Sequence, residues 1–154
     1  MKKNLCIYAF CTVILLGVLI YLKINLSSID ILEYMMFTLL IPIILSFLMS
    51  LVLGFIDWNN KRVILYNVFF SIFFFLIIGV FNIIFIDTDA LNKMQTNLGE
   101  ISTVEIQSSN TNNMAGNITA ILLFTAVSGI GTVIGKKIAS IKHKNNENHV
   151  KHSV

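Results

Sequence analysis

Histidine is absent from every long apolar stretch of this chain, proline occurs once, cysteine twice, and acidic residues number only 8 among 154. Each scarcity excludes something. Cys6 and Cys11 lie five residues apart in one apolar run, so on a helix they diverge by about 140° and cannot pair. No disulfide framework holds the fold, and both thiols are expected as reduced, buried small hydrophobes. Hydrolysis would need an acid and a base at matched depth, and neither an intramembrane histidine nor paired aspartates are there. The chain has no P-loop, dinucleotide fingerprint or zinc spacing either. It is therefore not expected to be an enzyme, to drive transport with ATP on its own, or to hold a cofactor or metal.

Apolar residues are what the chain has in abundance. It is 56% hydrophobic and only 12% charged, about half the charge of an ordinary soluble domain. Four runs stand out, at about 5–22, 31–56, 63–86 and 118–135. About 20 helical residues cross a hydrocarbon core about 30 Å thick, so each run is long enough or nearly so. The expected fold is an all-α membrane protein, four transmembrane helices in an up-down bundle. The short turn at 57–62 joins the second and third helices as an antiparallel hairpin. Pro42 sits in the middle of the second run, where neighbouring helices can satisfy the carbonyl it frees, so a kink is expected there and not a break. Lys2 and Lys3 before an apolar stretch are also how a secretory signal begins. No small-x-small cleavage pattern follows, and the run ends in Tyr21, Leu22 and Lys23, so the first run is read as a retained helix.

Lys and Arg set the orientation. Lys2, Lys3, Lys61, Arg62, Lys136, Lys137, Lys142, Lys144 and Lys151 fall on one side of the four runs, and only Lys23 and Lys93 on the other. The positive-inside rule makes the richer side cytoplasmic, with both termini there. Asp30, Asp87, Asp89, Glu100 and Glu105 then lie outside. Tyr8, Trp58 and Tyr66 suit the inner interface, and Tyr21 and Tyr34 the outer one. The Ile, Asn, Lys and Phe bias points to a bacterial plasma membrane by composition alone.

Within the runs, small and weakly polar residues mark packing faces. Thr38, Pro42, Ser46, Ser50 and Gly54 recur every four residues along the second helix. Thr125, Ser128, Gly129, Thr132 and Gly135 share a face of the fourth, where Gly131 and Gly135 form a GxxxG. Asn67, Ser71 and Asn82 lie on one side of the third, since offsets of four and eleven residues return to nearly the same angle. Interhelical hydrogen bonds between such faces are the plainest use of these residues; a dimer seam or a polar pathway is the sharper one. Glu33, the carboxylate nearest an apolar core, is the candidate for ion or substrate contact, set against solvation at the helix margin.

The segment at 87–117 is the only connection long enough for structure of its own. Leu91, Met94 and Leu98 are spaced for a short amphipathic helix on the outer leaflet, with Gly99 to end it. Residues 101–106 have strand-like content and 108–113 read as flexible. Residues 1–137 thus form the transmembrane domain. Residues 138–154 form a basic, flexible cytoplasmic tail whose lysines can adhere to an anionic leaflet. His143, His149 and His152 lack the convergent geometry of a metal site.

Two functions fit this pattern. One is a non-enzymatic accessory, sensor or protective (immunity-like) protein acting through helix faces or the outer loop. The other is a minimal oligomeric transporter or pore using the polar face of the third helix. The partners expected are the lipid bilayer and another membrane protein or a second copy, and not nucleic acid.

Overall fold

A computed structural model describes residues 2–97 and 114–151. The chain is all-helical over them: α1 (Lys2–Asn25), α2 (Ile31–Ile56), α3 (Val63–Phe85), α4 (Thr88–Asn97) and α5 (Met114–Lys151). Four helices are long and apolar enough to span a bilayer, over Asn4–Asn25, Ile31–Ile56, Val63–Phe85 and Ile118–Lys144. The surface fits that solvent. Ile83, Ile24, Phe69 and Leu65 are each at least two-thirds exposed, while Ser46, Ser50, Asn67, Ser71, Ser128 and Thr132 are completely buried. A chain that hides its hydroxyls and displays its phenylalanine is arranged for lipid, which solvates apolar side chains and leaves polar groups to find partners inside.

The helices meet in a defined order. Ser46 pairs with Ser71 and Ser50 with Asn67, so positions along α2 rise as those along α3 fall. Between α2 and α5 they rise together: Gly131 meets Phe47, and Gly135 meets Leu51 and Phe55. The Asn4 side chain donates to the Asp57 carboxylate, which sets the start of α1 beside the end of α2. At the opposite end Tyr21 packs against Phe37, and the Lys23 ammonium lies 4.5 Å from the centre of the Phe85 ring. A cluster of Leu15, Leu19, Leu22, Phe74, Ile78 and Phe124 fills the interior between these ends.

Three local findings differ from the expectations above. First, α2 carries a π turn over Met36–Leu40, where the Ile41 amide reaches back five residues to the Met36 carbonyl. Pro42 has no amide hydrogen, and its ring obstructs the carbonyl four residues earlier; a widened turn just before it relieves that clash within a continuous helix. Second, α5 does not stop at Gly135 but runs on to Lys151, giving helix where a flexible tail was expected. Gly135 is used for close packing and not as a terminator, no proline follows, and Ala139 is buried one turn further on. Third, Cys11 is buried but Cys6 is exposed, because α1 turns only one stripe inward.

The amphipathic segment is present as α4. The Asp87 carboxylate accepts from the Ala90 amide at 2.7 Å and so caps its start. Met94 is completely buried, in the same cluster as Ile29 and Ile31. The Asn97 amide donates to the Ile29 carbonyl at 3.0 Å and the Ser27 carbonyl at 3.3 Å. The helix therefore docks on the turn between α1 and α2, held by one buried methionine and by two hydrogen bonds from the Asn97 side chain to backbone carbonyls. Leu98, Gly99, Glu100, Glu105, His152 and the stretches 101–106 and 108–113 lie outside the described residues.

Candidate functional site

The polar side chains of the interior form one connected seam, with Asn67 at its centre. Asn67 is held on α3 about one turn from its start at Val63 and is completely buried. Its Oδ1 accepts from the Tyr8 hydroxyl of α1 at 2.6 Å. Its Nδ2 donates to Thr132 Oγ1 of α5 at 2.8 Å and, at 3.4 Å, to the Ser50 carbonyl of α2. One amide thus contacts the other three spanning helices. Hydroxyls extend the seam on both sides: Ser50 pairs with Ser128 at 2.8 Å and Ser46 with Ser71 at 2.5 Å. Spare donors turn back into their own helices, Ser71 to the Asn67 carbonyl and Thr132 to that of Ser128.

Among the described residues, no buried side-chain nitrogen or oxygen lacks a hydrogen-bond partner. Each polar atom of the seam is therefore already partnered within the chain, and the seam holds no carboxylate, histidine or lysine side chain. Each interhelical hydrogen bond in a membrane contributes about 0.6 kcal/mol, up to about 1.7. The gain from the seam is as much in register as in energy, since an amide that reaches three neighbours fixes all of them.

Missing side chains do the rest. A Cβ at Gly54 would fall on the backbone of Thr132, and one at Gly135 on the Leu51 carbonyl. A Cβ at Gly131 would come within 2.8 Å of the Phe47 carbonyl oxygen. The small-residue faces of α2 and α5 are thus turned on each other within one chain, at backbone contact.

The expected residues divide accordingly. Ser46, Ser50, Gly54, Asn67, Ser71, Ser128, Gly131, Thr132 and Gly135 come together at the seam. Asn82 lies apart, nearer the other end, and accepts from the Tyr34 hydroxyl at 2.8 Å. Thr38 and Thr125 are half-buried, and Thr38 bonds back to the Tyr34 carbonyl. Gly129 is not in the close contact, for a Cβ there would meet nothing within 4 Å. Glu33 is exposed in the first turn of α2, its amide bonded to the Asp30 carboxylate at 2.7 Å, and takes no part in the seam. Tyr8 and Tyr34 have the helix-end positions of interfacial anchors. Both instead satisfy an asparagine of α3, a role signalled in the sequence only by each tyrosine standing at the depth of an amide.

Two surface clefts lie at opposite ends of the described helices. At the α4 end a cleft of about 410 Å³ is lined by Lys23, Phe85, Asp87, Asp89 and Lys93. At the Asp57 end another, of about 300 Å³, lies between α2 and α5 and is lined by Phe55, Ile56, Trp58, Ala139, Lys142 and His143. The chain matches no family model, no curated protein and no solved structure.

Proposed function

We propose that this is a small non-enzymatic accessory of the membrane, a sensor or protective (immunity-like) protein acting through its helix faces and outer segment. The observation that carries this reading is the closed seam: every buried hydroxyl and amide near Asn67 is committed to another helix of the same chain. Such an interior supports a stable scaffold and gives a solute no polar path. The apolar outer faces of the helices, and the cleft that offers lysine and aspartate side by side at the outer-loop end, are then the surfaces left for partners.

The arrangement that goes with this reading is an up-down bundle with both termini in the cytoplasm of a bacterial plasma membrane. Its support is the opposed register of α2 with α3 and the shared direction of α2 with α5. Lysine and arginine supply the rest, being concentrated at the Asp57 end as the positive-inside rule requires of a cytoplasmic face. The partners are the bilayer and another membrane protein or a second copy.

Photocrosslinking from position 93 in native membranes tests the proposal. A specific product with a different membrane protein, lost when Asp87 and Asp89 are changed to asparagine, is the expected result. The absence of any protein product would count against it, and a self-oligomer alone would make the partner a second copy. The transporter reading makes a separate demand: solute flux by the reconstituted chain that Asn67→Leu and Asn82→Leu abolish.

A further inference from the structure

We infer that the cleft between α2 and α5 at the Asp57 end is a binding site for the headgroup of an anionic phospholipid. Its floor is apolar and aromatic, made by Phe55, Ile56 and the buried Ala139. Its rim carries two polar groups presented by consecutive residues of α5. The Lys142 ammonium stands 5.6 Å from the centre of the Phe55 ring, and the His143 ring stacks on Trp58 with centroids 5.1 Å apart. The ring contact is the one interaction that Lys142 makes among the described residues, and no carboxylate of those residues pairs with it. Lys136, by contrast, is already engaged, donating to the Asn60 carbonyl at 2.6 Å.

The chemistry of the occupant follows from the walls. A cation above an aromatic floor at the end of two spanning helices suits a group that is anionic at one end and apolar at the other. The cleft volume of about 300 Å³ lies at the small end of ligand pockets, about 300–1,000 Å³, which suits a phosphate-bearing headgroup. The apolar track the acyl chains need is present as well. Ile56, in the cleft wall, is 44% exposed, and Ile138 of α5, one turn before Lys142, is 47% exposed. The wider field agrees: Lys61, Arg62, Lys136, Lys137 and Lys144 share this end, and Asp57 is tied to Asn4. Basic pockets between spanning helices attract anionic headgroups for this reason. Only the Asp57 end being at a lipid surface is required here; which end is cytoplasmic does not enter.

Trp58 is the sole tryptophan of the chain, so its fluorescence reports this cleft alone. The full-length protein is reconstituted in vesicles of acyl-brominated phosphatidylcholine, which quenches Trp58, and part of that lipid is replaced by unbrominated phosphatidylglycerol or unbrominated phosphatidylcholine. Phosphatidylglycerol should restore fluorescence with a preference of about fivefold, the ratio equivalent to about 1 kcal/mol for one lysine at an anionic surface. Lys142→Gln should bring that preference down toward unity, while Lys23→Gln at the opposite end should leave it unchanged. Equal recovery with the two lipids would overturn the inference, as would a preference that survives Lys142→Gln. Recovery with inorganic phosphate alone would assign the cleft to a soluble anion and overturn the lipid. Vesicles with one composition on both faces keep the result independent of orientation, and the crosslinking test of partners is independent of it too.

Discussion

Tyr8 and Asn67, 59 positions apart in sequence, meet through a 2.6 Å hydrogen bond that ties the first turns of α1 to the start of α3. The same tyrosine stacks on Phe70 with ring centroids 3.9 Å apart and planes 10° from parallel. Tyr8→Phe keeps the stack and removes only the donor. It should lower stability by about 0.6–1.7 kcal/mol, the range of single interhelical hydrogen bonds in membranes. Asn67→Leu, which also abandons Thr132 and Ser50, should cost more. Reversible unfolding in mixed micelles measures both. In the double variant the losses should fall short of their sum by about 0.5 kcal/mol or more, as expected of groups sharing one bond; strict additivity would mean that the bond contributes nothing.

The glycines of α5 should not behave alike. Gly135→Ala drives a methyl group into the Leu51 carbonyl, and forcing α2 and α5 apart should cost about 1–3 kcal/mol. Gly129→Ala meets open space and should be neutral or slightly stabilising, since alanine is the better helix former by up to about 1 kcal/mol. Thermal unfolding of the two variants side by side decides the matter; equal losses would sink the assignment of α5 to α2 through Gly135.

The two thiols offer a check on both burial and sidedness. A membrane-permeant maleimide should label Cys6 in a Cys11→Ala chain faster than Cys11 in a Cys6→Ala chain, because Cys6 is exposed and Cys11 is buried. An impermeant maleimide should reach Cys6 only in inverted vesicles if that end is cytoplasmic. Labelling in intact cells would reverse the proposed orientation without touching the packing.

Docking of α4 rests on a small number of contacts and should be separable from the bundle. Asn97→Ala removes the hydrogen bonds to the Ser27 and Ile29 carbonyls. Hydrogen exchange over 88–97 should speed up, while amides of α3 around Asn67 keep their protection. Unchanged exchange in α4 would mean that the burial of Met94 alone holds it.

The four spans were legible because lipid imposes a simple length and polarity rule on each of them. The faces of α2 and α5 were legible too, since Ser46, Ser50, Gly54, Ser128, Thr132 and Gly135 repeat at helical spacing and small size has few other uses there. What the spacing could not show was which residue of α1 completes Asn67. Tyrosine near a helix end reads as an interfacial anchor, and only the depth at which α1 packs on α3 makes Tyr8 a hydrogen-bond donor. Gly129 misled for a related reason: it lies beside the contact face, and whether a backbone approaches it depends on the crossing angle and not on the repeat. The π turn before Pro42 and the continuation of α5 past Gly135 are likewise settled by neighbours, one by a carbonyl clash and the other by the close approach of α2.

Ser50 sends its carbonyl toward Asn67 of α3 and its hydroxyl to Ser128 of α5. The surface that receives α5 is thus built from α2 and α3, both of which leave the ribosome before it. The glycines of α5 select the one rotation at which its backbone can close on that surface, at Phe47 and Leu51 of α2.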